Sequence, residues 1–250
     1  MMKPLIAGNW KENCTIREAI ALVSGIKGLV KDSGHADIVI CPPFTALRDV
    51  SAALKGSSMM LGAQNMFYEE KGAFTGEISP LMLLELGCRF VIVGHSERRE
   101  YFMETDLAVN RKLKLCLKNN LTPIMCVGES QQERNEGVTK KVIEREITDG
   151  LEGIGKKEIE RIVIAYEPVW AIGTGLTATP QQAQEVHAYI RQLLSDMFGE
   201  SAKKVRILYG GSVKPENTKE LMAQKDINGA LVGGASLDAG SFAEIVKRSA

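Results

Sequence analysis

The chain has 250 residues, of which 44% are hydrophobic, and this is enough for one large domain with a sizeable core. Its 31 lysines and arginines balance its 31 aspartates and glutamates, so the formal net charge is zero. This balance argues against a nucleic-acid groove or a membrane-binding face, both of which need an excess of basic residues. A small anionic ligand stays possible, because one or two cations and some backbone N–H groups suffice to bind it.

The cysteines, the histidines and the N-terminus predict a reduced cytoplasmic protein without a metal. The number of cysteines is odd and no pair forms Cys-x-x-Cys, so we expect free and mostly buried thiols. With three histidines, no cluster has metal-ligand spacing. The first residues lack the apolar segment of a signal peptide, and no run approaches the ~18 apolar residues of a membrane span. The cysteines are Cys14, Cys41, Cys88, Cys116 and Cys126.

Short apolar runs alternate with longer amphipathic stretches along the whole chain. Most of the runs are continuous and rich in β-branched residues, as at 38–40, 90–93 and 162–164, which is typical of strands buried on both faces of a parallel sheet. Eight such strands are predicted. They begin near Leu5, Asp37, Met59, Arg89, Thr122, Ile162, Val205 and Ala230.

The stretches between the strands carry helix-start signals. Prolines at 80 and 180 follow a serine and a threonine, a pattern that places proline at the first helical position. Gly137 should break the helical stretch from about 131 to 152. Capping boxes are predicted at Thr15 with Glu18, Ser130 with Glu133, Thr179 with Gln182, and Ser241 with Glu244.

Eight strand–helix units predict an α/β fold, a (β/α)₈ or TIM barrel with eight parallel strands surrounded by helices. Each unit would have about 31 residues, which is the size of a βα unit. We expect a single catalytic domain over residues 1–250. An open doubly wound sheet is the competing architecture, but it usually has a glycine-rich first turn, and here the first strand leads into Asn9-Trp10-Lys11.

Glycine pairs follow the last two predicted strands. Gly210 and Gly211 come after strand seven, just before Ser212, and Gly233 and Gly234 come after strand eight. Such pairs let a backbone approach a ligand and point N–H groups at it, and many barrels bind phosphate at these two strand ends. For each glycine pair taken alone, the alternative to phosphate binding is a tight turn that needs positive φ.

Three polar residues end other strands at the same face of the barrel. Lys11 comes two residues after Asn9, on the same face of strand one. His95 begins a short helix, whose N-terminus should lower the pKa of the imidazole. Glu167 is held extended by the proline that follows it. A carboxylate, an imidazole and a cation would then face a phosphate site.

The segment after Glu167 is long for a βα connection and combines apolar residues with glycines, which predicts a lid over the substrate. A packed surface loop is the alternative.

With the strand ends, this segment makes the chain resemble the triosephosphate isomerase family over its whole length. The most specific similarities are at 95–99 and 166–175. The matching segments are 7–11, 62–65, 72–77, 93–99, 126–129, 165–175, 209–213 and 229–235.

The resemblance implies interconversion of dihydroxyacetone phosphate and D-glyceraldehyde 3-phosphate through an enediolate, without metal or organic cofactor. It assigns Glu167 as the base and neutral His95 as the group that polarises the carbonyl and moves protons between the oxygens. Lys11 would stabilise the enediolate and Asn9 would orient the substrate. The phosphate would be bound by Gly173, Ser212, Gly233 and Gly234.

The resemblance also implies a homodimer, formed through the loop from Asn65 to Ile78. Thr75 of this loop would lie near Asn9 and Lys11 of the partner subunit's active site. The apolar residues of the loop need a covering surface, which fits that expectation.

For the function, the alternatives are a phosphate-binding barrel aldolase and a barrel that binds phosphate without catalysis.

Overall fold

The structure is a computed structural model, which describes residues 2–172 and 177–250. Eight parallel strands pair in sequence order and close on themselves, so the predicted (β/α)₈ barrel is confirmed. Every strand begins within one residue of its predicted position. The strands are β1 (Leu5–Asn9), β2 (Asp37–Cys41), β3 (Met60–Ala63), β4 (Phe90–Val93), β5 (Thr122–Val127), β6 (Val163–Tyr166), β7 (Arg206–Tyr209) and β8 (Gly229–Val232).

Helices cover the outside of the barrel. No helix within 2–172 and 177–250 has the length and apolar character needed to cross a membrane. The α-helices are α1 (Ile16–Val30), α2 (Leu47–Leu54), α3 (Pro80–Glu85), α4 (Ser96–Phe102), α5 (Asp106–Lys118), α6 (Gln131–Asn135), α7 (Thr139–Gly150), α8 (Lys156–Ile159), α9 (Pro180–Phe198), α10 (Pro215–Met222) and α11 (Ala239–Lys247). Short 3₁₀ turns are formed by Phe44–Ala46, Val169–Ala171, Gly199–Lys204 and Gly234–Leu237.

Most of the predicted helix starts are confirmed. The boxes at Thr15, Ser130 and Thr179 form, and Gly137, with φ +71°, separates α6 from α7. The fourth box was wrong. Asp238 caps α11 by accepting the backbone N–H of Ser241, so the helix begins before the serine that we expected to cap it.

Alternate residues of each strand divide the core into two parts. One set, including Leu5 and Ala7 of β1 and Val163 and Ala165 of β6, fills the barrel interior. The other set packs between the barrel and its helices. Because the interior is filled by side chains, a ligand site can form only at an end of the barrel.

An ion cluster closes the end of the barrel where the strands begin. Arg206 on β7 donates from Nη1 to Asp37 Oδ2 on β2 over 2.7 Å, and Lys3 Nζ lies 2.9 Å from Asp37 Oδ1. In the closed order β1 and β8 lie between these two strands, so the pair ties the sheet across the barrel. Burial opposes ionisation of Asp37, but Lys3 and Arg206 outweigh it and hold its pKa below the usual value.

This cluster predicts a pH-dependent stability. A carboxyl whose folded pKa is depressed stabilises the fold above its unfolded pKa, and the effect is lost as the pH falls through the folded pKa. Asp37→Asn should therefore lower the free energy of unfolding at pH 7 by roughly 1–2 kcal/mol, with a smaller difference below about pH 3. Urea unfolding at both pH values measures this. The exposed Asp32, replaced in the same way, is the control, and equal losses for both variants would contradict the prediction.

Candidate active site

A cavity of about 310 Å³ lies at the end of the barrel where the strands finish. Every predicted site residue that the structure describes lines this cavity, and Gly173 lies outside the described residues. The cavity is therefore where the sequence placed the site, and its size suits a small ligand. The predicted residues in its lining are Asn9, Lys11, His95, Glu167, Ser212, Gly233 and Gly234.

Strand alternation explains why two of these side chains point into the cavity. Asn9 follows Ala7 by two residues, and Glu167 follows Ala165 by two, and both alanines face the barrel interior. His95 follows an outward-facing residue, Val93, so alternation alone would direct it outward. Gly94, with φ +73°, breaks the alternation, and this conformation strongly favours glycine.

Glu167 and His95 form a buried pair. His95 Nε2 lies 2.8 Å from Glu167 Oε1, and the backbone N–H of Ser96 donates to Glu167 Oε2 over 2.9 Å. The Glu167 side chain is 2% exposed. Burial alone would raise its pKa, but His95 and the Ser96 N–H outweigh this and keep the pKa of Glu167 below its usual value. The carboxylate is therefore ionised and held close to the imidazole.

The position of the imidazole proton follows from the other ring nitrogen. His95 Nδ1 accepts the backbone N–H of Glu97 over 3.2 Å, so a proton on the neutral ring belongs on Nε2, facing Glu167. We predicted that the N-terminus of α4 lowers the pKa of His95. That prediction was wrong for this arrangement, because Glu167 outweighs burial and raises the pKa of His95.

Lys11 does not continue the strand, contrary to the sequence-based expectation. Its φ is +52°, a left-handed conformation that is unusual for a lysine. Asn9 Oδ1 accepts the Lys11 backbone N–H over 3.1 Å, and Gln64 Nε2 donates to the Lys11 carbonyl oxygen over 2.8 Å. The Lys11 Nζ atom then contacts Glu97 Oε1 at 2.5 Å. Neither Gln64 nor Glu97 was assigned a role from the sequence, because long-range contacts bring them here.

The two glycine pairs serve different needs. None of the four has positive φ, so tight turns do not explain them. A Cβ on Gly211 would lie 2.3 Å from the Tyr209 hydroxyl, so glycine is needed there for packing. A Cβ on Gly234 would meet no atom within 4 Å, and one on Gly233 would lie 3.6 Å from Lys11 Cε. The second pair therefore leaves open space beside the lysine, with a 3₁₀ turn beginning at its backbone.

The described part of the predicted lid is packed on a buried carboxylate. Glu129 is fully buried and accepts hydrogen bonds from Tyr166 Oη at 3.1 Å and from Trp170 Nε1 at 2.9 Å. The backbone N–H of Val169 donates to the Glu129 carbonyl oxygen over 3.1 Å. These contacts fix the start of the segment. The predicted lid continues through Gly173 and beyond it to residue 175, and 173–175 lie outside the described residues.

All five cysteines are free; Cys14 is half-buried and the other four are buried, as predicted. Burial raises the pKa of the thiols of Cys14 and Cys126, which keeps them protonated. In the described residues, no group of three or more histidine, cysteine, aspartate or glutamate side chains is placed to hold a metal ion.

Comparison with known proteins agrees with this geometry. The family model described as triosephosphate isomerase matches residues 4–249. The chain belongs to the triosephosphate isomerase family. Family members from Endomicrobium trichonymphae and Moorella thermoacetica are 57% and 56% identical to it, over 100% and 98% of both chains. The solved structure of triosephosphate isomerase from Bartonella henselae matches with a TM-score of 0.90 and 39% identity, covering 99% of each chain.

Membership of the triosephosphate isomerase family confirms the resemblance inferred from the sequence segments. The match runs along nearly the whole chain, so it includes every residue that lines the cavity.

Proposed function

We propose that the chain is an isomerase that interconverts dihydroxyacetone phosphate and D-glyceraldehyde 3-phosphate through an enediolate, in glycolysis and gluconeogenesis. The observation that carries this proposal is the buried Glu167–His95 pair beside the open space at Gly233 and Gly234. Family membership supports the substrate class. An assay that couples consumption of glyceraldehyde 3-phosphate to reduction of dihydroxyacetone phosphate tests it, and an inactive, folded protein would contradict it.

Glu167 would act as the base that removes the proton between the carbonyl and hydroxyl carbons. Its hydrogen bonds to His95 and to the Ser96 N–H now hold its pKa down. A substrate that enters between Glu167 and His95 removes the first of these bonds. Burial then raises the pKa of the carboxyl, which makes it a stronger base when the substrate is present.

His95 would polarise the carbonyl and move protons between the two oxygens. Once substrate separates it from Glu167, the largest effect favouring its cation is gone, and burial favours the neutral ring. Its Nε2–H then donates to the substrate oxygen. Lys11 would stabilise the developing negative charge, and Asn9 would hold both the substrate and the left-handed turn of Lys11.

The phosphate would lie against the ends of β7 and β8. Ser212, Gly233 and Gly234 offer backbone N–H groups there, and the open space beside Gly234 accommodates the ligand. Gly173 was also predicted from the sequence to bind phosphate, and it stays a prediction. The whole chain, residues 1–250, is proposed to act as one catalytic domain in the cytoplasm, without metal or organic cofactor.

The aldolase alternative needs an amine that can form a Schiff base. Strand six ends in Glu167 rather than in a lysine, and the Lys11 amine is paired with Glu97. The Glu97 carboxylate holds this amine in an ion pair, so the amine is not free to attack a carbonyl carbon. Borohydride treatment with substrate should therefore trap no covalent adduct.

The proposed homodimer is supported by the distribution of exposed apolar side chains. Eight of the twelve large hydrophobic side chains that are exposed in the described part of the chain lie between residues 74 and 107. In the loop from Asn65 to Ile78, Phe67 stacks on Tyr68, and Phe74 is still 41% exposed. Exposed apolar side chains that are grouped in one part of the chain favour an interface there. We propose that Thr75, exposed at the tip of this loop, reaches the partner's active site.

Phe74→Arg should convert the dimer to a monomer at micromolar concentration and lower activity. An arginine at the centre of an apolar interface leaves a charge without a partner. Analytical ultracentrifugation over a dilution series measures the change. Leu29→Arg is the matched control, since Leu29 is 45% exposed on α1. A wild-type chain that sediments as a fully active monomer when diluted would contradict the proposed assembly.

A further inference from the structure

A buried carboxylate lies behind the cavity, and none of the roles described above uses it. Glu146 on α7 is 3% exposed. Its Oε2 atom accepts the backbone N–H of Gly128 over 2.9 Å. Gly128 follows the last residue of β5, so the carboxylate reaches the strand end next to the active site. Burying a carboxylate is costly unless hydrogen bonds or charges compensate for it, so this placement requires a reason.

The Gly128 N–H that donates to Glu146 belongs to the Val127–Gly128 peptide group. The same peptide group accepts a hydrogen bond from the backbone of Glu167. The carbonyl oxygen of that group, on Val127, accepts the Glu167 N–H over 2.8 Å. A peptide group is planar, so fixing its N–H also fixes the direction of its C=O. A Cβ on Gly128 would lie 1.7 Å from the Glu167 carbonyl oxygen, which shows how closely the two strand ends approach.

Glu146 also faces an arginine that holds the backbone next to His95. Arg99 Nε donates to the Gly94 carbonyl oxygen over 2.9 Å, and Arg99 Nη1 lies 3.8 Å from Glu146 Oε1. The carboxylate is therefore in contact with the supports of both groups of the Glu167–His95 pair.

The charged groups around Glu146 do not make its ionised form favourable for the folded state. Arg99, Asp106 at the start of α5, and Arg145, whose Nη2 lies 3.5 Å from Glu146 Oε1, are the charged groups that act on it most strongly. Burial outweighs the arginines and raises the pKa of Glu146 to about 7. Its ionised form thus opposes folding near neutral pH. A residue that served stability alone would be better replaced by an apolar one.

We propose that Glu146 is a positioning residue for the catalytic base, acting through the Val127–Gly128 peptide group on the backbone of Glu167. The proposal rests on the proposed function of Glu167. Misplacement of a reacting group by about 1 Å can lower a rate by on the order of 10²-fold, so this support is large enough to matter.

Replacing Glu146 with glutamine or methionine separates the hydrogen bond from the packing. Glu146→Gln keeps an oxygen acceptor for the Gly128 N–H, and kcat should stay within about threefold of wild type. Glu146→Met keeps the length but removes the acceptor, and kcat should fall roughly 10- to 100-fold. KM should change by less than about twofold in both, because the phosphate site is untouched. If Glu146→Met does not fold, Glu146→Asp replaces it, since it withdraws the acceptor by roughly 1 Å and should lower kcat similarly.

Ile147→Ala on the same helix is the matched control. Ile147 is fully buried, so the change creates a cavity and lowers the melting temperature, yet kcat should be unchanged. If Glu146→Met or Glu146→Asp loses no more kcat than Ile147→Ala, or if Glu146→Gln loses as much as they do, the proposal is overturned. A wild-type protein without isomerase activity would instead overturn the proposed function, so the two failures are distinguishable.

Discussion

Glu167→Gln should lower kcat by about 10²- to 10⁴-fold, because it removes the proposed base while keeping the shape of the side chain. KM should change little, since the phosphate is proposed to bind elsewhere in the cavity, at the ends of β7 and β8. Glu167→Asp keeps the carboxylate but withdraws it by roughly 1 Å, and should cost about 10²-fold. Steady-state kinetics in both directions of the reaction measure these losses.

A thermal melt of the same variants controls for unfolding. Glu167 lies at the end of the barrel where strand-end residues serve chemistry more than stability, so the melting temperature should stay close to that of wild type. A Glu167→Gln variant that folds and keeps more than about a tenth of wild-type kcat would show that another group is the base.

Lys11→Met should lower kcat by about 10²- to 10³-fold and also raise KM. The Nζ charge is proposed to stabilise the developing enediolate, and loss of such a group from a partly buried site has this order of effect. KM should rise because Lys11 also lies beside the open space at Gly233, where the phosphate is proposed to bind. Steady-state kinetics separate the two contributions.

Lys214→Met is the matched control for Lys11. Lys214 lines the same cavity but is exposed to solvent, so its charge is screened. Its loss should change kcat by less than about threefold. Equal losses for the two variants would mean that only the net positive charge of the cavity matters, and the specific role of Lys11 would be wrong.

The sequence predicted the barrel and grouped most of the residues that line its cavity, because both depend on local patterns. Continuous apolar runs located all eight strands, and a two-residue period directed Asn9 and Glu167 into the barrel. The ends of the strands must meet at one face, so the polar residues after them could be grouped without knowing any contact.

What the sequence did not predict depends on single dihedral angles and on distant contacts. Lys11 leaves the strand in a left-handed turn, so its place in the cavity does not follow from strand alternation. The pKa of His95 depends on Glu167, which is 72 positions away in the chain. Glu146 gave no signal at all, because a buried glutamate on a helix looks like any other polar residue until α7 packs beside Gly128.

Turnover of dihydroxyacetone phosphate in D₂O tests the central claim, proton abstraction by Glu167, most directly. The account predicts that glyceraldehyde 3-phosphate formed by the wild type carries deuterium on the carbon next to the aldehyde. The abstracted proton would exchange with solvent deuterium on Glu167 while the enediolate is bound, and deuterium would then be delivered to that carbon. For Glu167→Gln, the rate of deuterium incorporation should fall by the same factor as kcat. Product without deuterium at that carbon, or undiminished incorporation by folded Glu167→Gln, would contradict the account.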